Sequence, residues 1–94
     1  MARAVIVDAV RSPMAKGKAT GALAGVHPVD LLGQVLAAIV ARNDIDPATV
    51  DDVVIGCVGQ NGEQSATPGR QAWLSAGFPP EVPSMTIERL RTCP

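Results

Sequence analysis

The chain has 94 residues, 47% of them hydrophobic, and a formal net charge of −1. This size allows one domain with a small core, and the composition is that of a globular protein. No run of like charges offers a nucleic-acid footprint, and no apolar run approaches the ~20 residues that span a bilayer, so neither nucleic acid nor a membrane is expected as a partner. Two cysteines and the lack of a secretion signal predict a cytoplasmic protein.

The chain opens on a predicted strand. Residues 3–10 form a β-branched run that is typical of a strand buried on both faces. Arg11, Ser12 and Pro13 end it, because proline cannot donate to a β-ladder. Residues 14–26 contain three glycines among small residues and are expected to form an extended surface loop.

Pro28 predicts the start of a helix, because the missing N–H of proline would be unpaired in the first turn anyway. The apolar residues that follow at three- and four-residue spacing form one stripe: Leu32, Val35, Leu36, Ile39 and Val40. The helix is expected to end at Arg42 and Asn43, a cation followed by a residue that tolerates a left-handed conformation. Asp46 and Pro47 then predict one short helical turn.

The second half of the chain alternates between strand and helix. A strand is predicted over residues 52–58 and a polar loop over 59–67. A helix follows over residues 68–76, with Gly77 as its stop, and a third strand over 84–88. The order strand, helix, strand, helix, strand predicts an α/β fold with right-handed crossovers and mostly parallel strands.

Several short motifs lack the spacing or the residues of the functional sites that they superficially resemble. Residues 56–62 carry glycines three apart but lack the G-x-G-x-x-G spacing of a dinucleotide loop, so a tight turn is the better interpretation. Gly17 and Lys18 lack both the upstream glycine and the following hydroxyl residue of a phosphate loop. His27 is the only histidine, which excludes a two-histidine metal site. We expect it at the entrance of the first helix.

The thiols and the single tryptophan have simple interpretations. Cys57 lies in an apolar strand and is expected to pack as a small hydrophobe. Cys93 has cations close in sequence, Arg91 among them, which would favour a thiolate. No helix can begin after Cys93, however, and we interpret it as an inert, exposed thiol. Trp73 is predicted to anchor a core or an interface.

Over residues 4–90 the sequence resembles the N-terminal segment of the thiolases, the acetyl-CoA acyltransferases. Order and spacing carry the resemblance, and its pieces are residues 5–13 (VIVDAVRSP), 21–23 (GAL), 28–36, 52–58 (DVVIGCV), 62–64 (GEQ) leading to 70–72 (RQA), 76–79 (AGFP) and 83–89. It implies a partial thiolase-like βαβαβ layer. It also implies acyl transfer between 3-ketoacyl-CoA and CoA, as in fatty acid β-oxidation, through a cysteine nucleophile that a histidine activates.

The same resemblance places Arg91 at the nucleophile position of the family. Residues 1–94 are therefore expected to be the N-terminal portion of a thiolase N-terminal domain, cut before the nucleophile by a truncation or a reading-frame slip after Leu90. Cys93 is the only candidate catalytic thiol near that position. No metal or bound cofactor is expected, and a coenzyme A thioester is implied only as substrate. The isolated chain is expected to be inactive.

Two alternatives stay open. A non-catalytic module that pairs with itself or with a full-length thiolase subunit would use an uncovered apolar face around Val35, Ile39 and Trp73. A small domain that binds coenzyme A or a nucleotide is the other alternative. The cations that would serve it are Lys16, Lys18 and Arg70.

Overall fold

The computed structural model of the chain describes residues 3–88. From residue 28 onward helices and strands alternate, which confirms the predicted α/β class. The elements, in chain order, are α1 (Pro28–Arg42), β1 (Val53–Cys57), α2 (Pro68–Ser75) and β2 (Ser84–Glu88), with short 3-10 turns at Pro47–Thr49 and Gly62–Gln64.

The two strands pair in parallel, as predicted. The register runs from Val53 opposite Ser84 to Cys57 opposite Glu88. Helix α2 is the crossover between the strands, and it contacts both of them as well as α1. Its approach to the sheet depends on Gly69, because a β-carbon there would lie 2.5 Å from Cγ1 of Ile55.

The core forms where α2 meets the sheet. Val53, Trp73 and Val82 are its buried centre, and only 2% of Trp73 is exposed. The partly buried residues around this centre are Leu36, Val50, Ile55 and Phe78. The ring centroids of Trp73 and Phe78 lie 4.6 Å apart in a tilted arrangement, a favourable geometry for an aromatic pair.

The predicted uncovered face around Trp73 is therefore wrong. The segment between α2 and β2 folds back over the indole, whose Nε1 donates to the carbonyl oxygen of Pro79 at 2.7 Å. Val35 and Ile39 are half-buried rather than bare. The apolar surface that does lie open is on the sheet, where Val54 and Met85, opposite each other in register, are 55% and 49% exposed.

Helix α1 begins and ends at the predicted residues. His27 caps its start, and Asp30 lies in the first turn, where a negative charge complements the helix dipole. At the other end the left-handed residue is Asp44, with φ 52°, and not Asn43. Asn43 instead donates its side-chain amide to the carbonyl oxygen of Ile39 at 2.9 Å, which closes the last turn.

The predicted first strand is wrong for the described part of the chain. Residues 3–10 pair with no strand, and the side chains of Val5, Ile6 and Val7 are exposed, with Ile6 91% exposed. A strand buried on both faces needs neighbouring strands and covering helices, and within residues 3–88 β1 and β2 pair only with each other. The segment is tethered at Asp8, which accepts from Nδ2 of Asn43 at 2.8 Å and pairs with Nε of Arg42 at 3.2 Å.

Candidate functional site

The carboxyl ends of the two strands define the candidate site. Cys57 and Glu88 end β1 and β2 opposite each other in the ladder. In parallel α/β sheets the loops that leave this edge form the ligand-binding crevice. Residues 58–67 are the loop that leaves β1, and the segment that leaves β2 begins after Glu88.

Cys57 lies under this loop and behaves as predicted for a packed cysteine. It is buried, and its single S–H is shared between two acceptors, the carbonyl oxygen of Gly59 at 3.3 Å from Sγ and Oε1 of Gln64 at 3.2 Å. Both partners are neutral acceptors, and neither is a base that could activate a thiol. The geometry gives Cys57 a structural role at the edge of the site.

Gln60 ties the two sides of the site together. Its Nε2 donates to Oε2 of Glu88 at 3.5 Å, at the end of β2. Its Oε1 accepts from the backbone N–H of Thr67 at 3.1 Å, at the start of α2. One side chain therefore links β2 to the helix that crosses between the strands. Sequence reasoning missed Gln60, and the only available signal was an amide side chain between glycines in a loop.

The loop enters α2 through a strained backbone. Ala66 and Thr67 have φ of 57° and 56°, although neither is glycine. Such residues cost about 1–3 kcal/mol each and persist only where the surroundings hold them. Here Nε2 of Gln71 donates to the carbonyl oxygens of Ser65 and Ala66. Strain of this kind clusters at functional sites, which favours this loop as part of one.

Arg70 fixes the connection that leads into β2. Its guanidinium donates to the carbonyl oxygen of Val82 at 2.6 Å and to that of Pro80 at 2.7 Å. These bonds hold the segment before β2 and so set the direction in which β2 approaches the site. They also occupy the guanidinium, which argues against Arg70 as a cation for coenzyme A or a nucleotide.

His27 has the predicted position at the entrance of α1. Its Nδ1 accepts from the backbone N–H of Val29 at 3.1 Å, so it serves as the N-cap of the helix. Arg91 and Cys93 lie outside the described residues, and their proposed roles stay predictions. Across residues 3–88 no cluster of histidine, cysteine or acidic side chains is arranged to hold a metal ion. No helix in that range has the length and apolar character to cross a bilayer.

The sequence and the fold of this chain match those of a known enzyme family. The family model for the N-terminal domain of thiolases matches residues 4–93, and the chain belongs to this family. The crystal structure of the Bacillus anthracis acetyl-CoA acetyltransferase is similar, with a TM-score of 0.63 and 41% sequence identity. That match covers 73% of this chain and 17% of the acetyltransferase.

Particular relatives are similar over almost the whole chain. The steroid 3-ketoacyl-CoA thiolase FadA6 of Mycobacterium tuberculosis is 51% identical over 89 residues, which are 95% of this chain and 21% of the relative. The beta-ketoadipyl-CoA thiolase of Acinetobacter baylyi is 45% identical over 91 residues, 96% of this chain and 22% of the relative. The chain thus spans about a fifth of the length of these relatives.

Proposed function

We propose that the chain is the N-terminal portion of a thiolase acyltransferase and that it provides scaffold rather than chemistry. The observation that carries the proposal is the set of contacts made by Gln60 and Arg70, which hold the two ends of β2 in place. In the family the nucleophile follows this strand. The reaction of the complete enzyme would be acyl transfer between 3-ketoacyl-CoA and CoA, in the setting of fatty acid β-oxidation in the cytoplasm.

Three features support a chain that is inactive alone. By resemblance, Arg91 stands at the nucleophile position, and an arginine side chain cannot form the acyl-enzyme thioester. The only histidine, His27, uses Nδ1 to cap α1. The described thiol, that of Cys57, is buried against neutral acceptors. A nucleophilic cysteine needs a neighbouring base or cation to activate it, and neither hydrogen-bond partner of Cys57 supplies one.

Acylation by a 3-ketoacyl-CoA tests the proposal directly. The purified chain is incubated with acetoacetyl-CoA and CoA, and both thioester loss and protein mass are followed. We expect no thiolysis, and no acyl adduct beyond that of a matched Cys57→Ser/Cys93→Ser variant. An acetyl adduct on Cys93 with turnover of acetoacetyl-CoA would contradict the assignment as scaffold.

A second candidate function is pairing with another copy or with a full-length thiolase subunit. The open face of the sheet favours it, since Val54 and Met85 place large apolar side chains side by side in solvent. Sedimentation equilibrium of the chain, alone and with a full-length thiolase, provides the test. We expect association that Val54→Lys abolishes and Leu74→Lys, at a comparably exposed position on α2, leaves intact. If the chain stays monomeric both alone and with the full-length thiolase, this function is refuted.

A further inference from the structure

Charge is distributed unevenly along the chain. Residues 9–29 contain three basic side chains and no acidic one, whereas residues 30–88 contain eight acidic side chains and two basic ones. The net charge of −1 conceals this separation. An asymmetry of this size creates a local positive potential that attracts anions to one part of the surface.

The basic stretch lines a cavity. A cavity of about 660 Å³ lies between the loop that carries Lys16 and Lys18 and the start of α1 at Leu31. A second cavity of about 300 Å³ continues from it along α1, past Val35, to Arg11. The two share Ser12, Pro13, Leu23 and Leu31 in their walls. They therefore form one groove, which we call the α1 groove.

The α1 groove combines cations with an aliphatic floor. Its basic residues are Arg11, Lys16 and Lys18, and none of the residues that line either cavity is acidic. Leu23 and Leu31 lie in the shared part of the wall, and Val35 extends the apolar surface along the helix. Such a surface complements a ligand with a negative charge at one end and a hydrocarbon chain at the other.

The loop that carries the lysines has a defined shape. Gly21 donates its N–H to the carbonyl oxygen of Lys18 at 2.8 Å, and turns continue to Val26. The backbone at Gly21 also passes so close to Lys16 that a β-carbon would overlap the Lys16 carbonyl oxygen. A glycine is therefore required for this close approach of the backbone to Lys16, which lies beside the groove.

We propose that the α1 groove binds an anionic amphiphile, and specifically a free aliphatic carboxylate of medium chain length. The two aromatic side chains of the protein, Trp73 and Phe78, pack against each other in the core. The groove therefore offers no ring on which a nucleotide base could stack. It also lacks the interfacial aromatic side chains that favour attachment to a lipid surface. This site is separate from the strand ends and does not depend on the thiolase assignment.

Octanoate is the probe, and 1-octanol and acetate are its neutral and short-chain counterparts. Titration of the whole chain, followed by amide chemical shifts in two-dimensional NMR, is expected to move the signals of Leu23 and Leu31 with octanoate. We expect octanoate to bind at least about tenfold more tightly than either counterpart, and the affinity to fall with added salt. Octanol that binds as tightly as octanoate would overturn the proposal. Shifts centred on Val54 and Met85 would also overturn it.

Matched variants separate charge from shape. Lys16→Ala/Lys18→Ala is expected to weaken octanoate binding roughly fivefold, since exposed ion pairs are individually weak. Arg3→Ala, which removes a cation outside the groove, is expected to leave binding unchanged. Gly21→Ala keeps both lysines but displaces Lys16, and should weaken binding as well. Equal affinity in the double variant and in the unmodified chain would refute the site.

A vesicle arm distinguishes a free ligand from a membrane lipid. Phosphatidylglycerol vesicles carry the same combination of negative charge and hydrocarbon, and they are sedimented with the chain at the same salt concentration. We expect the chain to remain in the supernatant and octanoate to bind it there. Co-sedimentation that octanoate does not compete away would assign the basic groove to a lipid surface and overturn the proposal.

Discussion

Two short stretches of this chain have almost the same sequence but different structures. Residues 53–55 read Val-Val-Ile and form a parallel strand, whereas residues 5–7 read Val-Ile-Val and lie bare in solvent. The first stretch has β2 along one edge and Gly69 of α2 against one face. The second has neither. The comparison shows that β-branched residues specify a strand only where a partner is available.

The largest expected difference in stability between the two regions follows removal of the core tryptophan. Trp73→Ala is expected to lower the free energy of unfolding by about 3–5 kcal/mol, because it empties a buried site and removes the partner of Phe78. Ile6→Ala, in the bare segment, is the control and should change it by less than about 0.5 kcal/mol. Urea unfolding measures both. Similar losses in the two variants would mean that the N-terminal segment is buried after all.

The next largest loss of stability is expected for the segment that precedes β2. Arg70→Ala is expected to cost about 2–3 kcal/mol, because the carbonyl oxygens of Val82 and Pro80 lose a charged donor. Arg11→Ala, next to the exposed N-terminal segment, is the matched control and should leave the free energy of unfolding almost unchanged. The same unfolding experiment gives the difference. If the two variants have equal stability, the guanidinium of Arg70 does not hold this segment in solution.

Alanine substitutions at two glycines test how closely α2 packs on the sheet. Gly69→Ala is expected to destabilise the chain by about 1–2 kcal/mol, because the new β-carbon would press on the side chain of Ile55. Gly17→Ala meets no atom within 4 Å and should be neutral or slightly stabilising. Thermal unfolding monitored by circular dichroism is sufficient for this pair. Equal melting temperatures would show that α2 does not approach the sheet so closely.

The smallest effect is expected at Asp8, where the exposed N-terminal segment contacts the end of α1. The hydrogen bond from Asn43, together with the Ala9 N–H and the charge of Arg42, holds the pKa of Asp8 below its ordinary value of 3.8. A depressed carboxyl pKa contributes stability that is present above the unfolded-state pKa and is lost as the pH falls through the folded-state pKa. The tether should therefore hold at neutral pH and release only below about pH 4.

Titration of the Asp8 carboxyl carbon by NMR checks this prediction. In Asn43→Ala the pKa of Asp8 should move back toward 3.8, since the largest stabilising contact of the carboxylate is gone. An Asp8 pKa that the substitution does not change would show that the tether is absent in solution.

Local signals in the sequence located most of the fold. Pro28, Pro68 and Gly77 mark the ends of helices because their backbone chemistry restricts where they can lie, and the structure has helix ends there. The strand over residues 84–88 was also predicted with its observed bounds. The same local signals wrongly predicted a strand over residues 3–10, because strand formation there depends on partners that these residues do not encode.

The candidate site was predicted less completely. The packed role of Cys57 and the position of His27 at the entrance of α1 followed from their neighbours in sequence, and the structure confirms both. That His27 caps the helix through Nδ1 was not predicted. The contacts of Gln60 and Arg70 were missed because they join residues 7 to 28 positions apart. The positive φ of Ala66 and Thr67 has no signature in residue type, since neither residue favours that conformation.

The bare segment also affects how the protein behaves at high concentration. An extended stretch of exposed β-branched residues can add a strand from a neighbouring molecule, which is the first step toward insoluble aggregates. Arg3 and Asp8 lie on either side of the exposed residues 5–7, and charges at such positions oppose growth of this kind. Because Asp8 loses its charge in acid, storage at low pH would remove one of the two and shorten the shelf life of the sample.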